Sequence, residues 1–394
     1  MAIFVTDPSE DSKVPFLRGI LTRSLQQAGM EFEEAYEIAD RVRDSLGSDA
    51  EITSGQLSKL VAKQLQELGH SEIAKRYLKR SVPLNRITVL DRDGLPQPFS
   101  KARLSQGLET CALSEARCYA ITAHIEQTLL QRGIREIQSR DLIRLTYEYL
   151  LRQESEEVAR RYLVWFEFSR SGRPLVLLIG GTTGSGKSTI GAEIAHRLNI
   201  IRTQSTDLLR EVMRLMVPER LLPALHTSSF SAWKTLPTAE DLTEPTLNGD
   251  FEQGFLIQAS QVGVAIEGVV SRAETEQISL ILEGVHVHPA LQNNIRSTSG
   301  VIVVPILLAV LKRKQLRKQL KGRGHQVSTR RAERYLEHFD EIWHLQSFLL
   351  READRFNIPI ISNTDQDETI KSIMTTIVDR LSEEFAGDPK QMLG

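Results

Sequence analysis

Cysteine is scarce in this 394-residue sequence, with only Cys111 and Cys118 present. Two thiols cannot build a disulfide framework or a four-cysteine zinc site. Their seven-residue spacing suits one face of a helix, and buried thiols are the expectation. Long apolar runs are also lacking. The longest, 301–311, falls well short of the ~20 residues that cross a bilayer. The opening Met-Ala-Ile-Phe-Val-Thr-Asp-Pro has neither the basic stretch nor the apolar core of a signal peptide. Charge of one sign is missing too: 49 Lys+Arg stand against 51 Asp+Glu, a net charge of −2. That balance argues against a general nucleic-acid or membrane-surface binder. The remaining composition, 41% hydrophobic and 25% charged, points to a soluble, cytoplasmic chain of two or three domains.

The first half repeats itself. Residues 1–82 and 86–168 read as two copies of one unit. Pro15-Phe16 and Pro98-Phe99 each precede a helical stretch. Ser54 and Leu57 recur as Ser139 and Leu142, and Ile73-Ala74-Lys75-Arg76-Tyr77-Leu78 as Val158-Ala159-Arg160-Arg161-Tyr162-Leu163. In the second copy, Ile87-Thr88-Val89-Leu90 before Asp91-Arg92-Asp93-Gly94 predicts strand, turn and strand. Helical runs are expected near 101–112, 114–132, 139–152 and 155–168. These units resemble the ATP-cone family, a small regulatory domain that binds adenine nucleotides. The resemblance is carried by Arg92-Asp93-Gly94, Pro98-Phe99 and Val158-Ala159 with Tyr162. Asp91 stands where that family has a lysine, and the first copy has Asp7-Pro8-Ser9 in place of the turn. Assembly into homo-oligomers through these repeats is a further expectation.

A linker, 169–174, leads to the apolar run Leu175-Val176-Leu177-Leu178-Ile179, which suits a strand buried on both faces. Directly after it comes Gly181-Thr182-Thr183-Gly184-Ser185-Gly186-Lys187-Ser188, a full G-x-x-x-x-G-K-[ST] motif, then a helical pattern from Thr189. Triphosphate needs donors converging on a small volume. Glycines let the backbone N–H groups turn inward, and the helix start adds its dipole. Lys187 supplies a cation to the β- and γ-phosphates, and the Ser188 hydroxyl is a Mg²⁺ ligand. A domain spanning 172–386 is therefore read as alternating β and α, with strands at 175–179, 200–204, 278–282, 301–308 and 358–361. That pattern means a parallel sheet flanked by helices, with its ligands at the carboxyl ends of the strands.

Those ends carry the other candidates. After the second strand, Asp207 is placed to orient an acceptor hydroxyl, with Arg210 and Arg214 one helical turn apart to capture an anion. After the third, Glu283 ends a Walker B pattern and is a metal-shell candidate. His286 and His288 follow it; no third or fourth zinc ligand is in view, which leaves contact with an anionic acceptor, with His286 the candidate, or ordinary packing. After the fourth, ten Lys or Arg between 312 and 334 suggest a lid whose arginines reach the transferring phosphoryl, with Arg313, Arg317 and Arg323 foremost. The run lacks the interleaved aromatics of a single-strand binder. Asn363, after the last strand, is assigned to the adenine edge. The segment 217–253, with Phe230 and Trp233, reads as an acceptor-binding arm.

Taken together, the phosphate loop, Ser205-Thr206-Asp207 with Arg210-Glu211-Val212-Met213-Arg214, the Glu283-Gly284-Val285-His286 stretch and the leading cone resemble the archaeal-type 2-phosphoglycerate kinase family. The resemblance implies ATP and Mg²⁺, and transfer of the γ-phosphoryl of ATP to the 3-hydroxyl of 2-phosphoglycerate. The residues alone leave three alternatives open: a kinase of another small anionic hydroxy acid or polyol phosphate, an ATP-binding adaptor without turnover, and a nucleic-acid-dependent ATPase.

Overall fold

The computed structural model describes residues 4–7, 12–16, 18–46, 51–81, 87–236, 248–296, 300–322 and 329–393. The chain divides into two compact units. One comprises the described residues up to Thr88 with 96–99 and 132–136, and the other holds the remainder.

The first unit carries β1 (Phe4–Asp7), β2 (Ser12–Pro15), α1 (Arg18–Gln27), α2 (Phe32–Ser45), β3 (Glu51–Thr53), α3 (Ser54–Glu67) and α4 (Ser71–Ser81), with sheet order β2-β1-β3. Its core gathers Leu21, Leu25, Ile38, Val42, Val61 and Leu65, the apolar faces of three short helices at 3–4 residue spacing. Thr53 caps α3 in a reciprocal capping box with Gln56.

The same succession returns as β4 (Thr88–Leu90), β5 (Pro96–Pro98), α5 (Lys101–Glu109), α6 (Glu115–Gln131), β6 (Glu136–Gln138), α7 (Ser139–Gln153) and α8 (Glu156–Ser171), with order β5-β4-β6. The repeat seen in the sequence is thus a repeat of topology. Its third strands were missed because three residues give no periodicity, although Glu51-Ile52 and Glu136-Ile137 each precede the matching serine. Two expectations change. Cys111 and Cys118 are both buried, but Cys111 lies in the α5–α6 turn and Cys118 in α6, so they do not share a helix. Helix α8 runs through Ser171 to stop at Gly172, whose φ of 70° is a left-handed helix end, so half of the expected linker is helix.

The rest of the second unit is a doubly covered parallel sheet. In chain order it has β7 (Leu175–Gly180), α9 (Lys187–Arg197), β8 (Arg202–Ser205), α10 (Thr206–Met216), two 3₁₀ turns (Pro223–His226 and Ser229–Thr235), α11 (Asn248–Thr275) and β9 (Leu280–Gly284). Then follow α12 (Leu291–Arg296), β10 (Ile302–Ala309), α13 (Arg313–Gly322), α14 (Thr329–Glu337), α15 (Phe339–Arg355), β11 (Ile360–Ser362), α16 (Gln366–Ser382) and α17 (Pro389–Leu393). The order is β11-β10-β7-β9-β8 and every pairing is parallel. Successive residues of β7 feed opposite faces, as a pleat requires. Leu177 and Ile179 meet Ile190, Ile194, Ile373 and Ile377, whereas Val176 and Leu178 meet Val262, Ile266 and Val270. By length and composition α11 is apolar enough to cross a membrane. Its buried Phe255, Val262, Ile266 and Val270 instead recur at helical spacing within the core.

Candidate active site

The phosphate loop leaves the carboxyl end of the central strand β7. Gly181, Gly184 and Gly186 have φ of 144°, 88° and 89°, a region costly for residues with a Cβ. Lys187 is buried, and its ammonium donates to the Thr182 carbonyl at 2.7 Å, closing the loop on itself. The Ser185 hydroxyl donates to the same carbonyl at 2.9 Å. Helix α9 begins at Lys187 with no side-chain cap on its first N–H groups, which leaves them for an anion. Thr183 is half-buried, and Ser188 and Thr189 are exposed at the first turn.

Asn363 has a role other than the expected one. Its Nδ2 donates to the Ser185 carbonyl at 2.8 Å and its Oδ1 accepts from Thr369. A Cβ on Gly186 would fall 2.2 Å from that Nδ2. The amide expected at the adenine edge thus forms a clip across the phosphate loop.

The sheet sets the other half of the site. Glu283 pairs in register with Ile179 of β7 on one side and Ser205 of β8 on the other. Its Oε1 accepts from the Ser188 hydroxyl at 2.9 Å, so the two metal-shell candidates meet. One residue further on, Gly284 has φ of 156°, and a Cβ there would lie 1.8 Å from Thr206 Oγ1. Asp207 follows Thr206 in the first turn of α10, with its side chain 66% exposed and its Oδ1 3.8 Å from His286 Nδ1.

His286 does not face an acceptor. It is 1% exposed and sits between Thr206 Oγ1 and Gln258 Oε1, each at 3.1 Å. Burial, with Arg210 and Lys187 nearby, outweighs Asp207 and brings its pKa down to about 4. The imidazole is thus neutral near pH 7. Gln258 Nε2 donates to the carbonyls of Ala224 and Thr227, so Oε1 must face the ring. Nε2 of His286 then carries the hydrogen, and Nδ1 accepts from Thr206. His288 departs in another direction, stacking on Phe348 with Nε2 3.5 Å from Glu352. Among the described residues no group of three His, Cys, Asp or Glu gathers as a metal site.

The expected arginine fork is already filled. Arg210 donates to the carbonyls of Leu225 and Thr227 at 2.9 and 2.8 Å, and Glu211 accepts from both Arg210 and Arg214. Arg210 thus anchors the 3₁₀ arm. Arg313 pairs with Asp340 and lies over Phe339 and Trp343, and Arg317 lies 4.6 Å from the Phe339 ring centroid. Both arginines expected in the lid here rest on residues of α15. Helix α13 instead seats Leu316 and Leu320 on the phosphate loop, where a Cβ on Gly184 would lie 2.7 Å from Leu320. Arg323 lies outside the described residues.

Comparison with known proteins decides the family. The chain is 33% identical over 308 residues to the 2-phosphoglycerate kinase of Pyrococcus horikoshii, covering 78% of this chain and 99% of that protein. It is 33% identical over 302 residues to that of Pyrococcus furiosus, 75% and 95% of the two chains, and 36% over 288 residues to that of Methanopyrus kandleri, 72% and 85%. The chain belongs to the 2-phosphoglycerate kinase family. It is an ATP-using phosphotransferase of the P-loop kind. Residues 9–81 and 87–171 match the ATP cone domain, so this member of the 2-phosphoglycerate kinase family carries two such matches.

In the second of them, Asp91 Oδ1 accepts from the backbone N–H of Asp93 and Leu95 at 3.0 and 2.8 Å. The residue in the lysine position closes the turn. Beside it lies a cavity of about 720 Å³ lined in part by Arg92, Arg140, Arg144, Arg170 and Phe166. In the first copy, Pro8 and Ser9 lie outside the described residues. Sequence reading also missed Thr206 and Gln258 as site residues. Thr206 had a signal, its place between a strand end and Asp207. Gln258 had none, being one of several polar residues along a long helix.

Proposed function

We propose that this chain phosphorylates 2-phosphoglycerate at its free hydroxyl, giving 2,3-bisphosphoglycerate and ADP. It would be organised as 1–82, 86–168 and a kinase domain of 172–386. The carrying observation is the succession on three adjoining strand ends: phosphate loop with Lys187, Ser188 against Glu283, and Asp207 beyond. Neighbouring strands lie ~4.8 Å apart, so this row spans a nucleotide phosphate and a small acceptor.

A hydroxyl and a carboxylate 2.9 Å apart are hard oxygen donors, the set on which Mg²⁺ completes its shell with water and phosphate oxygens. Ser188 and Glu283 would hold it, and bound there it neutralises charge on the β- and γ-phosphates. The loop N–H groups and Lys187 bind the triphosphate. Asp207 orients the acceptor hydroxyl and takes its proton as that oxygen bonds to the γ-phosphorus. The bond from γ-phosphorus to the bridging oxygen breaks, and ADP leaves with the electron pair.

The test is ADP release with ATP and Mg²⁺ against a panel of phosphorylated three-carbon acids. Stimulation by 2-phosphoglycerate, lost in Lys187→Ala, is the expected result. Equal rates with and without every acceptor, at intact ATP binding, would overturn the proposal in favour of an adaptor. A second reading concerns the second repeat: its arginine-lined cavity supports binding of an anionic effector there.

A further inference from the structure

The nucleotide half and the acceptor half of the site are held by different parts of the sheet. The phosphate loop is pinned from the β10–β11 side. Asn363 clips Ser185, the Asn363 N–H is held by the Ala309 carbonyl, and Leu316 and Leu320 lie against Gly184. Asp207 and the 3₁₀ arm are held from the β9–β8 side, where one buried chain joins the start of α10 to the arm and Arg210 ties the same helix to the arm one turn later. Thr206, directly before Asp207, donates to His286. His286 donates to Gln258. Gln258 donates to Ala224 and Thr227 of the arm, and Arg210 donates to Leu225 and Thr227.

We infer that the Thr206–His286–Gln258 chain is the positioning element of the acceptor half, with His286 its central residue, and that none of the three touches substrate. The inference rests on the kinase reading above. Its physical basis is that Thr206, His286 and Gln258 are each essentially inaccessible to solvent, so an interrupted chain strands a buried polar group that water cannot serve. The Gly284–Thr206 approach leaves no room for a side chain to take up slack. Loss of the chain therefore loosens the first turn of α10, where Asp207 sits, from the β9 loop and α11, while Arg210 and the clips on the phosphate loop stay in place. Misplacement of about 1 Å at a reacting group costs on the order of 10²-fold in rate.

The experiment compares full-length wild type, Thr206→Val, which keeps the shape without the hydroxyl, and Thr206→Ser, which keeps the hydroxyl. Steady-state kinetics with 2-phosphoglycerate are read beside direct binding of ATP. His286→Asn, which retains an acceptor for Thr206 but not the reach to Gln258, is the second interruption. The expected result is a rise in acceptor KM with a fall in kcat, together about 10- to 100-fold in kcat/KM, for Thr206→Val and His286→Asn. Thr206→Ser should stay within about 3-fold of wild type, and ATP affinity should be unchanged in all. Unchanged kinetics in both interrupted variants, or a loss of ATP binding as large as the acceptor effect, would overturn it. Wild type without acceptor-dependent turnover would remove the kinase reading first, and the inference with it.

Discussion

Replacing Asn363 by Ala separates two roles that a nucleotide-site asparagine can have. In the structure its amide joins the loop after β11 to the Ser185 carbonyl, 178 residues away in sequence. Removing it leaves that carbonyl without its donor and leaves Thr369 Oγ1 one acceptor fewer. The net worth of such a bond is about 0.5–1.5 kcal/mol. If that much ordering of the phosphate loop is lost, nucleotide Kd rises roughly 2- to 13-fold. The loss acts through the phosphates, so it must be the same for ATP and GTP. The assay is equilibrium titration of both nucleotides into wild type and Asn363→Ala. A weaker ATP complex with an unaltered GTP complex would refute the clip and restore a contact to the base edge.

Other outcomes are as definite. Glu283→Gln keeps an acceptor for Ser188 but removes the charge. The Mg²⁺ concentration for half-maximal turnover should rise and kcat fall about 10²-fold, with metal-free ATP binding unchanged; an unshifted Mg²⁺ dependence would count against Glu283. The pKa of His286 is lowered from 6.5 to about 4, so between these values the unfolded chain binds more protons than the folded one. Its contribution to stability is present above pH 6.5 and lost as pH falls toward 4. Denaturant midpoints at pH 7 and pH 5 should therefore differ, and the difference should shrink in His286→Asn; an equal difference would deny the buried neutral imidazole.

What the sequence displays well is what short stretches decide alone. The phosphate loop is eight contiguous residues whose glycines, lysine and serine each have one physical use, and β7, β9 and β10 before the active-site loops are short apolar runs. The repeat is legible because two copies test each other. What local sequence does not display shares a cause. Arg210 and Arg214 have the spacing of an anion fork, but spacing does not reveal Glu211 between them or the carbonyls of Leu225 and Thr227 facing Arg210. Arg313 and Arg317 look like lid cations until Phe339 and Trp343 are brought beneath them. Asn363 and His286 lie at the expected ends of the expected strands, and the structure gives them partners that no local stretch shows. A side chain's neighbours come from distant segments, and which donor meets which acceptor is settled only by packing.

The central position of β7 in the strand order has an evolutionary consequence. On the proposed arrangement, changes on one flank of the sheet bear on the phosphate loop through Asn363 and α13, and changes on the other bear on Asp207 through His286 and the arm. Variation that alters which molecule is phosphorylated can accumulate on the second flank while selection on nucleotide use acts mainly on the first.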